Sequence, residues 1–332
     1  MYGEIEYINN YHNKLSDFEV CVMKKVLIPF VLLIIVIGGC ANMDKSKNID
    51  DTEAKKQSDM NEYEKENYVL IQEYTGEGFE LRDSKEETGK IARKYRDEVE
   101  STVEDFFLEK HKVEVKVHNI VSAEDGVSVF VESVGNPHFY TYAIVPVDIK
   151  NKEVKTDQVW SQEGQVEYAI GGGLYAMAFE KEFEKLDNYL KKLTDDYPIV
   201  GVSLDVVENV RGDGHATPYY FISPAGDVFE KLYDNYIQNP DINKSELKRF
   251  FKENKFEPNY LSVAIELYMD ESDYEPDEEI YNQIVKDIKN MEDIPRGKYY
   301  ISLNDSYIDK KRAIGKKDNT INQTKPDGII KH

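Results

Sequence analysis

This 332-residue chain carries six histidines, two cysteines and 64 acidic side chains, and any chemistry it does must draw on these. A stretch of period-two alternation places His118 and His138 on neighbouring strands, within reach of each other. A zinc site would want a third and fourth ligand at suitable spacing, and neither an H-E-x-x-H pattern nor paired cysteines occur. The two histidines therefore stand as ligand candidates, with no metal and no cofactor assigned. The densest acidic run, Asp270 to Glu279, lacks the mid-loop glycine of a calcium loop and reads as a solvated loop leading into a helix. Arg211-Gly212-Asp213 matches an integrin-binding tripeptide, but it also makes an ordinary glycine-rich turn. Ser203 lacks the second glycine of a nucleophile elbow. Asp213 and His215 are an acid–base pair only by proximity. Gly171-Gly172-Gly173 interrupts a helical pattern, has no phosphate-loop context and fits a kink or close helix packing better than a backbone approach to a ligand. No catalytic residue is assigned.

The second cysteine is placed for different chemistry. Lys24 and Lys25 precede an apolar run, Val26 to Ile37, which closes on Gly38-Gly39-Cys40. A positive start, a short apolar core and small residues before the cut mark a secretory signal. The run is shorter than the about 20 residues needed to span a bilayer. Ile37-Gly38-Gly39-Cys40 resembles the lipobox of bacterial lipoproteins. That resemblance implies cleavage between Gly39 and Cys40 and a diacylglyceryl group on the Cys40 thiol. Two acyl chains suffice for a stable hold where one is marginal. The expected partner is thus the lipid bilayer, reached through acylated Cys40, on the extracytoplasmic face of the cell membrane. Met23 is the expected start, with residues 1–22 an upstream extension and 23–39 the signal peptide.

The formal net charge is −22. Such a body repels phosphate backbones and anionic headgroups, so nucleic acid is excluded as a partner, and an envelope protein or a small ligand is expected instead. Cys21 and Cys40 are the only cysteines, so the part after Cys40 holds no disulfide. Residues 40–68 read as the lipidated cysteine and a polar tether too poor in apolar groups to fold alone. As a flexible chain the tether would reach roughly 28 Å; frequent Glu and Lys leave a helical stalk as the alternative.

These groups must be positioned by a body over residues 69–315, either one unit or two lobes divided near 197–217. Tyr68 to Ile71 predicts a short strand. A helix is expected to begin at Ser84 or Thr88, Ser84 making a capping box with Glu87, with Ile91, Tyr95, Val99, Val103, Phe106 and Phe107 on one face. Val113 to Val117, Val127 to Val131 and Phe139 to Ile149 predict a three-stranded antiparallel meander. Residues 161–194 are expected to be helical, and Ile199 to Val202 and Tyr219 to Ile222 to be strands. Ser223-Pro224 is expected to cap one helix and Asn243 another. Leu261 to Met269 alternates as a half-buried strand, Pro276 opens a helix, and Tyr299 onward forms a closing hairpin before a polar tail at 316–332. The fold class is α+β: an N-terminal helix plus three-stranded antiparallel meander, a helical middle and a C-terminal mixed α/β lobe.

Val117-His118-Asn119-Ile120-Val121, Gly126 to Gly135, Pro137-His138-Phe139-Tyr140 and Val159 to Glu167 are similar to a family of uncharacterised lipoproteins of low-GC Gram-positive bacteria, a domain of unknown function. The resemblance covers nearly all of the chain after Cys40. It implies location and family, but no activity and no functional residues. The expected function is a membrane-anchored surface lipoprotein with a non-catalytic binding or accessory role in the cell envelope. The alternative is an extracytoplasmic hydrolase-like enzyme with a dispersed acid/base site.

Overall fold

The computed structural model describes residues 60–271, 275–322 and 328–332. The chain divides into two units, Met1–Lys47 and Asn48–His332, and the described residues belong to the second. Gly39, Cys40 and the segments expected to be the signal peptide, the upstream extension and most of the tether lie outside them. Among the described residues no helix is long and apolar enough to cross a membrane.

The end of the expected tether is built into the body. Asn61 and Glu64 form a reciprocal capping box that starts α1 (Glu62–Asn67), and the Tyr63 hydroxyl donates to Asp309 at 2.8 Å. Strand β1 (Tyr68–Leu70) then pairs antiparallel with β10 (Tyr307–Asp309). A segment too polar to fold alone is thus ordered by contacts made over 200 residues away.

The expected first helix is two: α2 (Glu86–Lys94) and α3 (Arg96–His111), broken at Tyr95. The Ser84–Glu87 capping box does not form. Lys85 is the N-cap and makes no side-chain cap, and Thr88 bonds the Lys85 and Ala123 carbonyls, tying the helix start to the meander. The meander itself is β2 (Val115–Ser122), β3 (Gly126–Ser133) and β4 (Tyr140–Asp148), all antiparallel, with a short β5 (Glu153–Val154) added at its edge. Val127, Val129 and Val131 of β3 pack into the main core with Val99, Val103 and Phe107 of α3.

The helical middle is α4 (Gln165–Ala178) and α5 (Glu180–Asp196). The glycine triplet lies inside α4 without interrupting it, because each glycine meets a different neighbour. A Cβ on Gly171 would lie 3.4 Å from Phe229, one on Gly172 3.6 Å from the His215 nitrogen, and one on Gly173 2.9 Å from the His138 carbonyl oxygen. The cost of about 1 kcal/mol per helical glycine is offset by this close approach. The triplet serves packing.

Next come β6 (Ile199–Val200), α6 (Leu204–Val210), β7 (Tyr220–Pro224), α7 (Asp227–Gln238), α8 (Lys244–Glu253), β8 (Leu261–Met269), α9 (Glu278–Asn290) and β9 (Gly297–Asn304). Asn243 caps α8 with a full capping box, as expected. Ser223-Pro224 does not cap α7: both belong to β7, and Gly226 is the N-cap. Asp277 rather than Pro276 opens α9, accepting from the Glu279 and Ile280 amides. The expected closing hairpin is also absent. Strand β9 runs parallel to β8, joined through α9 as a βαβ unit, and β10 leaves to pair with β1. The stretch expected as a polar tail instead extends the sheet: β11 (Ile321–Asn322) and β12 (Ile329–Lys331) both pair antiparallel with β9. Strands β6 and β7 flank β8 on its other side.

The class is α+β, as expected. Helix α4 packs on β4 of the meander and on β7 of the larger sheet, and one apolar core runs from α3 and the meander through α4 to β8 and β9. A second, smaller core gathers Ile71, Tyr74, Tyr140, Val206, Val207 and Tyr268 around α6.

Candidate ligand site

The second core lies beside a strongly polar spot on the meander. Strand β3 is covered on both faces, and Glu132 is the one acid in it. Opposite, the register of β2 slips between Val117 and Asn119, which pair with the consecutive residues Val131 and Phe130. His118 is the extra residue of this β-bulge. A bulge re-aims a side chain against the alternation of its strand, and here it turns the imidazole onto the Glu132 face. Helix α6 packs on β2 and β3 and brings Glu208 to the same place.

His118 Nε2 lies 2.9 Å from Glu132 Oε2, and His118 Nδ1 lies 3.4 Å from Glu208 Oε2. The His118 side chain is 6% exposed, with Glu132 at 23% and Glu208 at 25%. His138, in the β3–β4 connection, sets its Nε2 2.9 Å from the other Glu132 oxygen, and the Tyr140 hydroxyl donates to that oxygen at 3.4 Å. Burial pushes the Glu132 carboxyl up, but the bonds from His138 and His118 and their charge outweigh it and hold the group below its ordinary range. Burial and the nearby carboxylates Glu132 and Glu208 push the Tyr140 phenol up, so it stays a donor. His215 stands behind His138, its Nδ1 3.4 Å from the His138 carbonyl oxygen. Burial lowers the His215 pKa to about 4, leaving a neutral ring edged by Phe183 and Tyr220.

The two histidines singled out from the sequence therefore meet, through one shared carboxylate. Glu132 and Glu208 were missed. An acid in an otherwise apolar strand was a usable signal for Glu132. Nothing local marks Glu208 or the bulge.

The other candidates have structural work. Ser203 is the N-cap of α6: it accepts from the Val206 amide and donates to the Tyr74 carbonyl. Arg211 forms an ion pair with Glu266, its side chain 16% exposed, and lies over the Phe221 ring. Gly212 presses on Tyr142, and Gly214 pairs its backbone with Tyr140. The tripeptide is thus anchored at its arginine and is no free adhesive loop. In the acidic run, Asp277 caps α9, while residues 272–274 lie outside the described residues.

A cleft of about 570 Å³ lies between the β1–α2 connection and β2. Its lining includes Glu77, Glu80, Glu86, Arg93, Asn119 and Asn209. Asn119 and Asn209 follow His118 and Glu208 in the chain, and Asn119 donates to the Asn209 carbonyl at 3.0 Å.

Meander, central glycine helix and mixed sheet with one parallel pair define an α+β protein whose polar site is built from a bulged strand and a short helix. The chain belongs to the family described as Protein of unknown function (DUF1672), whose model matches residues 61–331. The expected membership of an uncharacterised family is met. Its fold is similar to the crystal structure of a DUF1672 family protein from Staphylococcus aureus subsp. aureus Mu50. That match has a TM-score of 0.65 and 20% identity, covering 80% of this chain and 98% of the other. At that identity the likeness speaks for the fold. Among curated proteins none matches.

Proposed function

We propose that this chain is a lipid-anchored protein of the extracytoplasmic membrane face, whose body has a non-catalytic binding or accessory role in the cell envelope. Binding is supported by the cleft between the β1–α2 connection and β2. Its lining offers carboxylates, amides, hydroxyls and one guanidinium, and no histidine or cysteine is among it. That set hydrogen-bonds a polar ligand. Anchoring is supported by the apolar run ending at Gly39 and Cys40.

Two measurements test the halves separately. The mass of the mature N-terminus is expected to equal diacylglyceryl-Cys40, and Cys40→Ala to move the protein out of the membrane fraction. An unmodified Cys40 thiol in membrane-bound protein would reject the anchor. For the cleft, the full chain in detergent is heated with wall fragments, sugars and peptides in turn. A ligand at 100 times its Kd stabilises by about 2.7 kcal/mol, which is roughly 5–10 °C for a body of this size. Arg93→Ala should abolish the shift. A shift that survives Arg93→Ala locates binding elsewhere.

A second reading, an envelope hydrolase, has one observation in its favour: His118, His138, Glu132 and Glu208 converge. It requires hydrolytic turnover that Glu132→Gln removes.

A further inference from the structure

We infer that His118, Glu132 and Glu208 form a binding site for one divalent transition metal ion of the zinc class. The inference concerns the folded body and holds with or without the lipid anchor. Each residue offers one ligand atom, and the three atoms lie within 4.8 Å of one another. Tetrahedral zinc with ligands at about 2.0–2.2 Å sets its donors roughly 3.3–3.6 Å apart, a contraction within the rotamer freedom of two glutamates. His118 itself is fixed by the bulge and by burial.

The contacts of His118 gather two carboxylates around one imidazole. Both ring nitrogens of His118 face carboxylate oxygens, at 2.9 and 3.4 Å. A neutral imidazole has one N–H and one lone pair, and the lone-pair nitrogen is the one that binds a metal. A metal ion on one ring nitrogen draws its two carboxylate oxygens from Glu132 and Glu208, each offering an atom within 4.8 Å of the others. Two carboxylates and a neutral imidazole also balance a double positive charge.

The surroundings have the form that supports a metal ligand. The Glu132 oxygen that His118 does not use accepts from Tyr140 and meets His138 Nε2. Such outer partners orient a ligating carboxylate and are part of a working site. An imidazole in the set favours zinc over magnesium or calcium, which prefer all-oxygen shells. Three protein ligands leave the fourth position to water or to a ligand donor.

The test uses the full chain in detergent, stripped with EDTA and titrated with zinc chloride by calorimetry. One zinc per chain is expected. Glu208→Gln and His118→Ala should each weaken binding at least tenfold, and Glu278→Gln, at the exposed start of α9, should not. Cobalt is expected to give the visible bands of a four- or five-coordinate ion in the unaltered chain and to lose them in Glu208→Gln. If His118→Ala does not fold, Glu208→Gln still decides, since it keeps the side-chain shape on a partly exposed helix. No saturable site in the unaltered chain overturns the inference. So does zinc binding that both substitutions leave unchanged, because the many surface carboxylates would then be the ligands.

Discussion

Replacing Tyr175 with alanine lowers the stability of the folded body by about 4 kcal/mol, within the range for truncating a buried aromatic. Tyr175 is 1% exposed and sits in the last turns of α4, the helix that joins the two sheets. Its ring centroid lies 4.7 Å from that of Phe179, 5.2 Å from Phe251, 5.7 Å from Phe256 and 5.9 Å from Phe183. The cavity would open among rings supplied by the α4–α5 junction, α5, α8 and the segment after α8, and rigid aromatics fixed from several sides collapse poorly into a void. Tyr175→Phe separates ring from hydroxyl. It removes only the bond to the Arg296 carbonyl at 3.1 Å and should cost about 1 kcal/mol. Denaturant unfolding of the two variants measures both terms. Equal losses would show that the hydroxyl bond, not the aromatic cluster, holds this region.

Stability falls by about 3 kcal/mol on account of His111 alone as pH drops from 7 to 4. The residue closes α3 and is completely buried. Burial, helped by the charge of Lys110, lowers its pKa from 6.5 to about 4. The groups facing it are the Phe106 and Phe107 rings and, from α7, the Tyr233 hydroxyl at 2.8 Å from Nδ1. Its Nε2 is buried with no hydrogen-bond partner among the described residues, so a proton there would gain nothing. The folded pKa lies below the unfolded one, so the unfolded chain binds more protons between about pH 6.5 and 4. The stabilisation is whole above pH 6.5 and is lost as pH falls toward 4. Unfolding free energies measured across that window should rise by up to about 1.4 kcal/mol per pH unit more steeply in the unaltered chain than in His111→Phe. Equal slopes would mean that His111 is protonated in the folded state. Reading slopes keeps the result independent of whatever the substitution costs in packing.

What was legible in the chain was what neighbours in sequence decide. The period-two runs around Val117, Val129 and Ala143 became β2, β3 and β4, and the Asn243 cap formed because its partner, Glu246, is three residues away. The misreadings share a cause. Ser84 and Glu87 have the spacing of a capping box, yet Lys85 and Thr88 are taken up by the turn around Ala123. Ser223-Pro224 has the look of a helix start, yet pairing with Ser262 and Leu261 keeps both in β7. In each, a contact from far along the chain overrode a local preference worth about 1 kcal/mol.

The candidate site divides the same way. Amino-acid order alone accounts for the apolar segment that closes on Cys40, the acidic charge, the meander and the presence of two histidines in it. None of these depends on contacts between distant residues. That His118 and His138 share Glu132, that Glu208 completes the group and that β9 runs beside β8 were decided only by tertiary packing. The bulge at His118 exists only in the pairing of β2 with β3, whose register shifts between Val117 and Asn119. Glu208 arrives because α6 buries Val206, Val207 and Val210 in the second core. Such positions are set by apolar burial summed over many residues, and a polar side chain is carried to its place by packing it does not itself provide.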